Sequence, residues 1–322
     1  MSVIVVAGAG SFGTALAVVL AQDGRDVALW ARNSEFIAEM RSAGENARRL
    51  PGVALPEGLQ LTSDPGVFEQ AGTILLAMPA QTLADFLSEH AQALRDRRLV
   101  ACSKGVDLKT GLGPTGTIDA VLPGTPAAVL TGPSFAIDIA HGLPTALTLA
   151  CTDRDTGARL QEQLSTAALR LYLSTDVTGA ELGGALKNVI AIACGIVIGA
   201  GLGDSARAAL MTRGYAEMLR LALARGAQAG TLAGLSGLGD LVLTCTSDKS
   251  RNFRFGHALG TGELFSEGST VEGRATARAV VALARTHGLE MPITEMVAAI
   301  LDERVTIASA TESLLNRPLK EE

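Results

Sequence analysis

Six residues near the start of the chain, Gly8-Ala9-Gly10-Ser11-Phe12-Gly13, restrict the fold more than any other feature. They fit G-x-G-x-x-G, they follow an apolar run over residues 3–7 that reads as a buried strand, and they open a helical stretch over residues 10–23. In such a strand-turn-helix unit the first glycine permits the tight turn and the second lets the backbone approach a pyrophosphate. The third lets helix and strand pack closely, and the free N–H groups of the first helical turn face the phosphate oxygens. With 36 glycines in the chain, the spacing alone is weak evidence. The context decides: a second strand, residues 27–30, follows at the interval a dinucleotide-binding unit requires. The plainer alternative is a strand-helix turn that holds no phosphate.

Beyond this unit, short apolar runs at 73–78, 99–103, 128–130, 145–150 and 169–173 alternate with helical segments such as 81–94 and one starting near Asp153. Strands that are apolar on both faces, interleaved with helices, predict a mainly parallel sheet covered on both sides. After about residue 178 the strand signals stop. Segments 180–200, 205–227, 250–260, 274–287 and 292–303 read as helices, with a Gly-rich turn at 234–240 between them. The expectation is an α/β Rossmann-type domain over 1–179 followed by an all-α domain over 180–322. The second is centred on the stretch from Asn188 to Leu202, which is apolar nearly all round. The polar tail, 316–322, is expected to fray.

Composition excludes several classes of function. Of the 322 residues, 48% are hydrophobic, 19% charged and 3% aromatic, which describes a globular chain rather than a disordered one. The formal charge is -6 with no basic stripe, which argues against nucleic acid as a partner. Cys102, Cys151, Cys194 and Cys245 are more than forty residues apart and read as reduced, buried thiols. The four histidines are equally scattered, so neither a zinc cluster nor a Ser-His-Asp arrangement is expected, and no metal is implied. The chain opens on a strand pattern without a basic leader. Its longest apolar stretch, 189–202, is broken by glycines and too short to span a membrane. These features predict a soluble, cytoplasmic protein without an integral membrane segment; the apolar helical domain suggests a homodimer.

A dehydrogenase built this way moves a proton as it moves a hydride, and must stabilise an oxygen carrying transient charge. With no well-placed histidine, lysine is the natural acid/base, and a lysine beside an apolar helix is desolvated, which lowers its pKa. Lys187 is the sole lysine between positions 110 and 248 and stands immediately before the buried Val189 stretch. Lys104 and the run Gly132-Pro133-Ser134-Phe135-Ala136 each close a predicted strand, where open α/β sheets bind ligands. Asp240 ends the Gly-rich turn, and Ser250-Arg251-Asn252 begins a helix where a guanidinium and backbone N–H groups would hold a phosphate. Taken singly, each would be read as a turn, a cap or a surface charge. After the second strand the sequence runs Ala31-Arg32-Asn33, where NAD-selective folds carry an acid. Arg32 would pair with a 2′-phosphate, favouring NADP, or be an exposed loop arginine.

Together these segments resemble the NAD(P)-dependent glycerol-3-phosphate dehydrogenase family, bacterial type. The resemblance rests on Gly8 to Gly13, Ser103-Lys104-Gly105, Gly132 to Ala136, Gly183 to Ala191, Gly237 to Leu241, Thr244 to Thr246, Ser250 to Asn252, Val271 to Gly273 and Glu290 to Thr294, in one order over nearly the whole chain. It implies reversible reduction of dihydroxyacetone phosphate to sn-glycerol 3-phosphate for phospholipid synthesis, with NADP or NAD as cofactor. It implies Lys187 as general acid/base, with Lys104 and Asp240 holding substrate oxygens. Gly132, Ser134, Thr244, Ser250, Arg251 and Asn252 match substrate positions. Ser11, Phe12, Arg32, Lys104, Ala136, Arg251 and Glu272 match cofactor positions. Family members commonly carry Thr where this chain has Ser134, and the residue at position 32 varies in charge, which leaves NAD against NADP open. The substrate is expected between two domains that close over it.

Two other readings compete. A β-hydroxyacid dehydrogenase shares the Rossmann domain, helices and catalytic lysine but needs no phosphate clamp at Ser250-Arg251-Asn252. A nonenzymatic NADP(H)-binding module would need neither Lys187 nor Asp240.

Overall fold

The structure is a computed structural model that describes residues 3–265 and 271–316. The expected fraying of the tail lies outside these residues, Asn316 excepted. Two compact units divide the chain, Met1–Glu181 and Leu182–Glu322.

The first unit runs β1 (Val3–Ala7), α1 (Ser11–Gln22), β2 (Val27–Trp30), α2 (Ser34–Ala43), β3 (Glu45–Asn46), β4 (Leu50–Ala54), β5 (Gln60–Thr62), α3 (Val67–Gln70), β6 (Ala71–Leu76), α4 (Ala80–Glu89) and α5 (Ala91–Leu94). It continues with β7 (Arg98–Ala101), α6 (Pro114–Val121), β8 (Ala127–Thr131), α7 (Ala136–Ala140), β9 (Thr145–Cys151), α8 (Arg154–Leu164) and β10 (Leu169–Ser174). Eight strands form one sheet in the order β10-β9-β8-β7-β6-β1-β2-β5. Every neighbouring pair is parallel except β8–β9. The central strands are buried on both faces because Val, Ile, Leu and Ala occupy consecutive positions, as parallel sheets flanked by helices require. On one face Val6, Leu29, Leu75 and Val100 pack with α1, and on the other Val5, Ala28, Ile74 and Leu99 pack with Phe68, Leu83 and Ile118. The chain reverses its direction of travel across the sheet at β1, which pairs with β2 on one side and β6 on the other. Such a switch point opens the crevice in which α/β sheets bind ligands.

The second unit is helical: α9 (Val177–Gly199, entering from the first unit), α10 (Gly203–Ala224), α11 (Ala229–Ala233), α12 (Asp240–Cys245), α13 (Arg251–Thr261), α14 (Glu272–Thr286), α15 (Pro292–Leu301) and α16 (Ile307–Leu315). The segment expected as a Gly-rich turn is a wide helical turn, Leu235–Gly239, running straight into α12. Val189, Ile190, Ala191, Ile192 and Cys194 of α9 are buried at the middle of this unit's core. The helix expected over 180–200 is α9; at 23 residues it starts well before the 189–202 apolar stretch and meets the length and composition of a membrane span, yet 89% of its most apolar window is buried. Gly195 and Gly199, read from sequence as interruptions, are contact points instead. A Cβ at Gly195 would stand 2.1 Å from Phe253 O, and one at Gly199 2.2 Å from His257 O. On α13 the same holds in return, with Gly256 against Ile192 O at 2.0 Å and Gly260 against Ile196 O at 2.5 Å. Backbone lies against backbone where the two helices cross.

Several elements escaped the sequence reading. The runs under β3, β4 and β5 are two to five residues long and broken by Pro51 and Gly52. Strands β6 and β7 end two residues earlier than expected, and the helix expected over 81–94 is two helices meeting at His90.

Candidate active site

In the first unit the Gly8–Gly13 segment joins β1 to α1. Gly8 has φ +120, a conformation that L side chains rarely adopt, and a Cβ there would stand 2.5 Å from Ala77 O. Gly13 lies against the turn itself, where a Cβ would meet Gly8 O at 2.1 Å. Gly10 differs: it precedes the first turn of α1 without a side-chain cap, and a Cβ there would enter open space. The helix start therefore faces a cradle shaped for an anion to approach the backbone. This arrangement fits the pyrophosphate of a dinucleotide. Arg32, just beyond β2, is exposed, and Phe12 packs its ring against the core cluster beneath α1.

At the C-terminal ends of β7 and β8, Lys104 Nζ donates to Gly132 O at 3.0 Å, and Ser134 Oγ donates to the same carbonyl at 3.4 Å. The two segments singled out from sequence are thus joined by one carbonyl. Ala136 is the first residue of the short helix α7. Cys102, beside Lys104, is pushed up to about 12 by burial, with the Lys104 charge opposing, so this thiol is unreactive.

In the second unit Lys187 and Asp240 are both buried, at 7% and 1% exposure. Lys187 Nζ lies 3.0 Å from Asp240 Oδ1 and donates to Thr244 Oγ1 at 2.7 Å, while the Thr244 hydroxyl lies 3.2 Å from the same carboxylate oxygen. Asp240 and Thr244 sit one turn apart on α12, so both face Lys187 on α9. A carboxylate at this distance favours the ammonium form, which opposes the desolvation expected from sequence. The group is a buried amine paired with a carboxylate, with a hydroxyl positioning it. Behind it, Cys245 is raised well above its ordinary range, first by burial and then by the neighbouring Cys194 thiol, while Lys187 pulls the other way. All four cysteines are free and buried.

A second network begins one residue further along α9. Asn252 Nδ2 donates to Asn188 Oδ1 at 2.9 Å, the Gly273 N–H donates to Asn252 Oδ1 at 3.0 Å, and Asn188 Nδ2 lies 3.5 Å from Glu272 Oε2. The starts of α13 and α14 are thereby tied to the helix that carries Lys187. Ser250 caps α13 by accepting from Phe253 N at 3.2 Å, and Arg251, the first residue of that helix, is exposed. Asn188 was not among the site residues read from sequence. Its signal was present: a fully polar side chain next to Lys187, within a stretch otherwise apolar on every face. Among the described residues no group of three or more His, Cys, Asp and Glu side chains could hold a metal ion.

Thus Lys187, Asp240 and Thr244 form one cluster, Asn252 and Glu272 meet through Asn188, and Lys104 and Ser134 meet at Gly132. Arg32 and Arg251 stand apart from these clusters.

Comparison with known proteins agrees along the whole chain. The family model described as the NAD-dependent glycerol-3-phosphate dehydrogenase N-terminus matches residues 3–157, and that described as the C-terminus matches residues 176–312. A glycerol-3-phosphate dehydrogenase [NAD(P)+] of Cereibacter sphaeroides is 65% identical over 315 residues, 98% of each chain. Its counterpart in Paracoccus denitrificans is 60% identical over 100% of both. The crystal structure of glycerol-3-phosphate dehydrogenase from Coxiella burnetii superposes with a TM-score of 0.94 at 40% identity, covering 98% of this chain and 99% of that one.

Proposed function

The chain belongs to the NAD-dependent glycerol-3-phosphate dehydrogenase family, and on that premise we propose which side chains perform the reaction. It is an NAD(P)-dependent oxidoreductase acting on glycerol 3-phosphate. The observation that carries the assignment of roles is the buried Lys187–Thr244–Asp240 cluster.

A nicotinamide dinucleotide, when bound, supplies the hydride for reduction of dihydroxyacetone phosphate. The residues proposed to hold it are Gly8, Gly10, Ser11, Phe12, Gly13, Arg32, Lys104, Ala136, Arg251 and Glu272. Lys187, as the ammonium, donates its proton to the ketone oxygen as charge develops there, and takes it back in the oxidative direction. Asp240 and Thr244 fix the amine, so the proton leaves from a defined position rather than from a mobile surface lysine. Lys104, with Gly132 and Ser134, steadies the substrate oxygens. Arg251 gives a guanidinium to the phosphate at the start of α13. Ser250 keeps an O–H to donate while its oxygen caps the helix, and Asn252 keeps one amide hydrogen while its other contacts hold Asn188 and Gly273. Binding energy from the unreactive phosphate then orients the carbonyl. The reduced product is proposed to feed phospholipid synthesis in the cytoplasm, from a homodimer.

The test is direct. Purified protein with dihydroxyacetone phosphate should oxidise NADPH or NADH, read as loss of reduced-nicotinamide absorbance, and Lys187→Ala should abolish it. NAD(P)H oxidation by a β-keto acid, or NAD(P)+ reduction by a β-hydroxyacid, in place of turnover of dihydroxyacetone phosphate, or turnover surviving in Lys187→Ala, would refute the assignment.

A further inference from the structure

The hairpin β3–β4 has no place in the roles above, yet it is fastened to the glycine-rich segment by specific bonds. Asn46 is fully buried. Its Nδ2 donates to Ala9 O at 3.0 Å and to Thr14 Oγ1 at 2.8 Å, and its Oδ1 accepts from Arg49 N at 3.2 Å. From the other side Ser11 Oγ donates to Arg49 O at 2.5 Å. Leu50 and Val53, buried in the core beneath α1, anchor the rest of the hairpin. The backbone of Arg49 is therefore held at both its N–H and its carbonyl, beside the residues that flank Gly10.

The two arginines of this hairpin are used differently. Arg48 is paired with Glu39 and lies over the Phe36 ring, 5.6 Å from its centroid. Arg49 is exposed, and its guanidinium makes no hydrogen bond or ion pair with another described residue. A fixed backbone with an unengaged cation, one side chain's reach from a helix start shaped for phosphate, is how a binding group is presented without ordering cost to its main chain. The cradle needs such a group: the helix start supplies only about half a positive charge, against the two negative charges of a pyrophosphate.

We propose that Arg49 is a cofactor-binding residue whose guanidinium pairs with a phosphate of the dinucleotide, adding a cation to Arg32, Lys104 and Arg251 among the residues proposed above to hold it. The inference rests on the reading that Gly8–Gly13 holds the dinucleotide. The phosphate is either the pyrophosphate, common to both cofactors, or the 2′-phosphate that NADP alone carries. Dissociation constants for NADPH and NADH, followed by reduced-nicotinamide fluorescence, distinguish them in wild type, Arg49→Met, Arg49→Lys, Arg48→Met and Gly10→Asp. Arg49→Met should bind about tenfold more weakly, with its deficit shrinking as salt is raised, and Arg49→Lys should recover part of the loss. Loss for both cofactors identifies the pyrophosphate, and loss confined to NADPH identifies the 2′-phosphate. Arg48→Met should bind as wild type. Wild-type affinity in Arg49→Met overturns the proposal, as does a loss that Arg49→Lys does not relieve and salt does not change, because that pattern belongs to a disturbed hairpin. Gly10→Asp separates the premise: an aspartate fits the open space there and can cap α1, but sets a carboxylate against the phosphate. If folded Gly10→Asp binds both cofactors normally, the glycine-rich segment is not the site and both readings fall. If it does not bind while Arg49→Met does, only the role of Arg49 falls.

Discussion

Replacing Lys187 with methionine should damage the protein twice, and the two injuries can be separated. The Lys187 and Asp240 side chains are 8% and 1% exposed, so the variant deprives a buried carboxylate of its cation while a similar apolar volume remains. Breaking a buried pair from one side typically costs about 3–5 kcal/mol. A ceiling follows independently: the carboxylate can escape by taking a proton, and protonating an ordinary aspartate at pH 7 costs about three units at 1.36 kcal/mol each, roughly 4 kcal/mol. Lys187→Met should therefore lose about 3–4 kcal/mol at neutral pH, and the deficit should close as pH falls through about 4, below which an aspartate is neutral in both states. Lys187→Met/Asp240→Leu removes both charges and should regain most of that stability while remaining inactive. Urea unfolding followed by circular dichroism, without cofactor, gives the first effect. Nicotinamide absorbance with dihydroxyacetone phosphate gives the second, at least a hundredfold lower turnover for both variants. The reasoning fails if Lys187→Met is within about 1 kcal/mol of wild type at neutral pH, or if the double variant is no more stable than the single one. A variant keeping a tenth of wild-type turnover would remove Lys187 from the proton transfer.

Three further outcomes follow. Gly13→Ala places a Cβ 2.1 Å from Gly8 O and 2.8 Å from Ala77 Cβ, so the turn must shift; thermal unfolding should show a loss of about 1–3 kcal/mol, and cofactor titration a weakening of at least tenfold. Asn252→Ala breaks the bonds to Asn188 and Gly273 inside the helical unit and should cost about 1–3 kcal/mol in urea unfolding, with a raised KM for substrate; an unchanged midpoint would show that the network carries no load. Glu217 is buried and caps α15 by accepting from Ile293 N at 2.7 Å and Thr294 N at 3.1 Å. Burial raises it above its ordinary 4.5, against the pull of these bonds. The folded state then holds a proton that the unfolded chain releases, so wild-type stability is eroded as pH rises from 4.5 through the raised value. Glu217→Gln should lack that slope, its stability relative to wild type improving over that window in urea titrations; a pH-independent difference would refute the burial argument.

How much of this was legible in the sequence depends on how far each feature reaches along the chain. The β1-turn-α1 unit is local: strand, glycines and helix lie within twenty residues, and each reports the same geometry. The strands of the parallel sheet were equally readable, because burial on both faces leaves continuous Val, Ile and Leu runs. Strands β3, β4 and β5 left no such trace, being short, partly polar and paired through contacts formed only in the folded unit. Lys187 stood out by its position beside an apolar helix, but its partners Asp240 and Thr244 are more than fifty residues away, so the ion pair was invisible until the fold joined them. Asn46 shows the same limit from the opposite side. An asparagine in a polar stretch predicts a turn, whereas its three bonds to Ala9, Thr14 and Arg49 arise from α1 lying over the hairpin.

The crossing of α9 and α13 has a consequence for how selectivity could change. Lys187 lies on one of these helices and the Ser250-Arg251-Asn252 segment begins the other, so the crossing works as a calliper between the proton donor and the phosphate clamp proposed above. Its jaws are set by Gly195, Gly199, Gly256 and Gly260, residues with only hydrogen in the gap. No side chain is intermediate between hydrogen and methyl, so the opening cannot be widened gradually at these points. Mutational drift towards a longer phosphorylated substrate is thereby blocked at the crossing, and must come instead from the residues at the ends of the jaws.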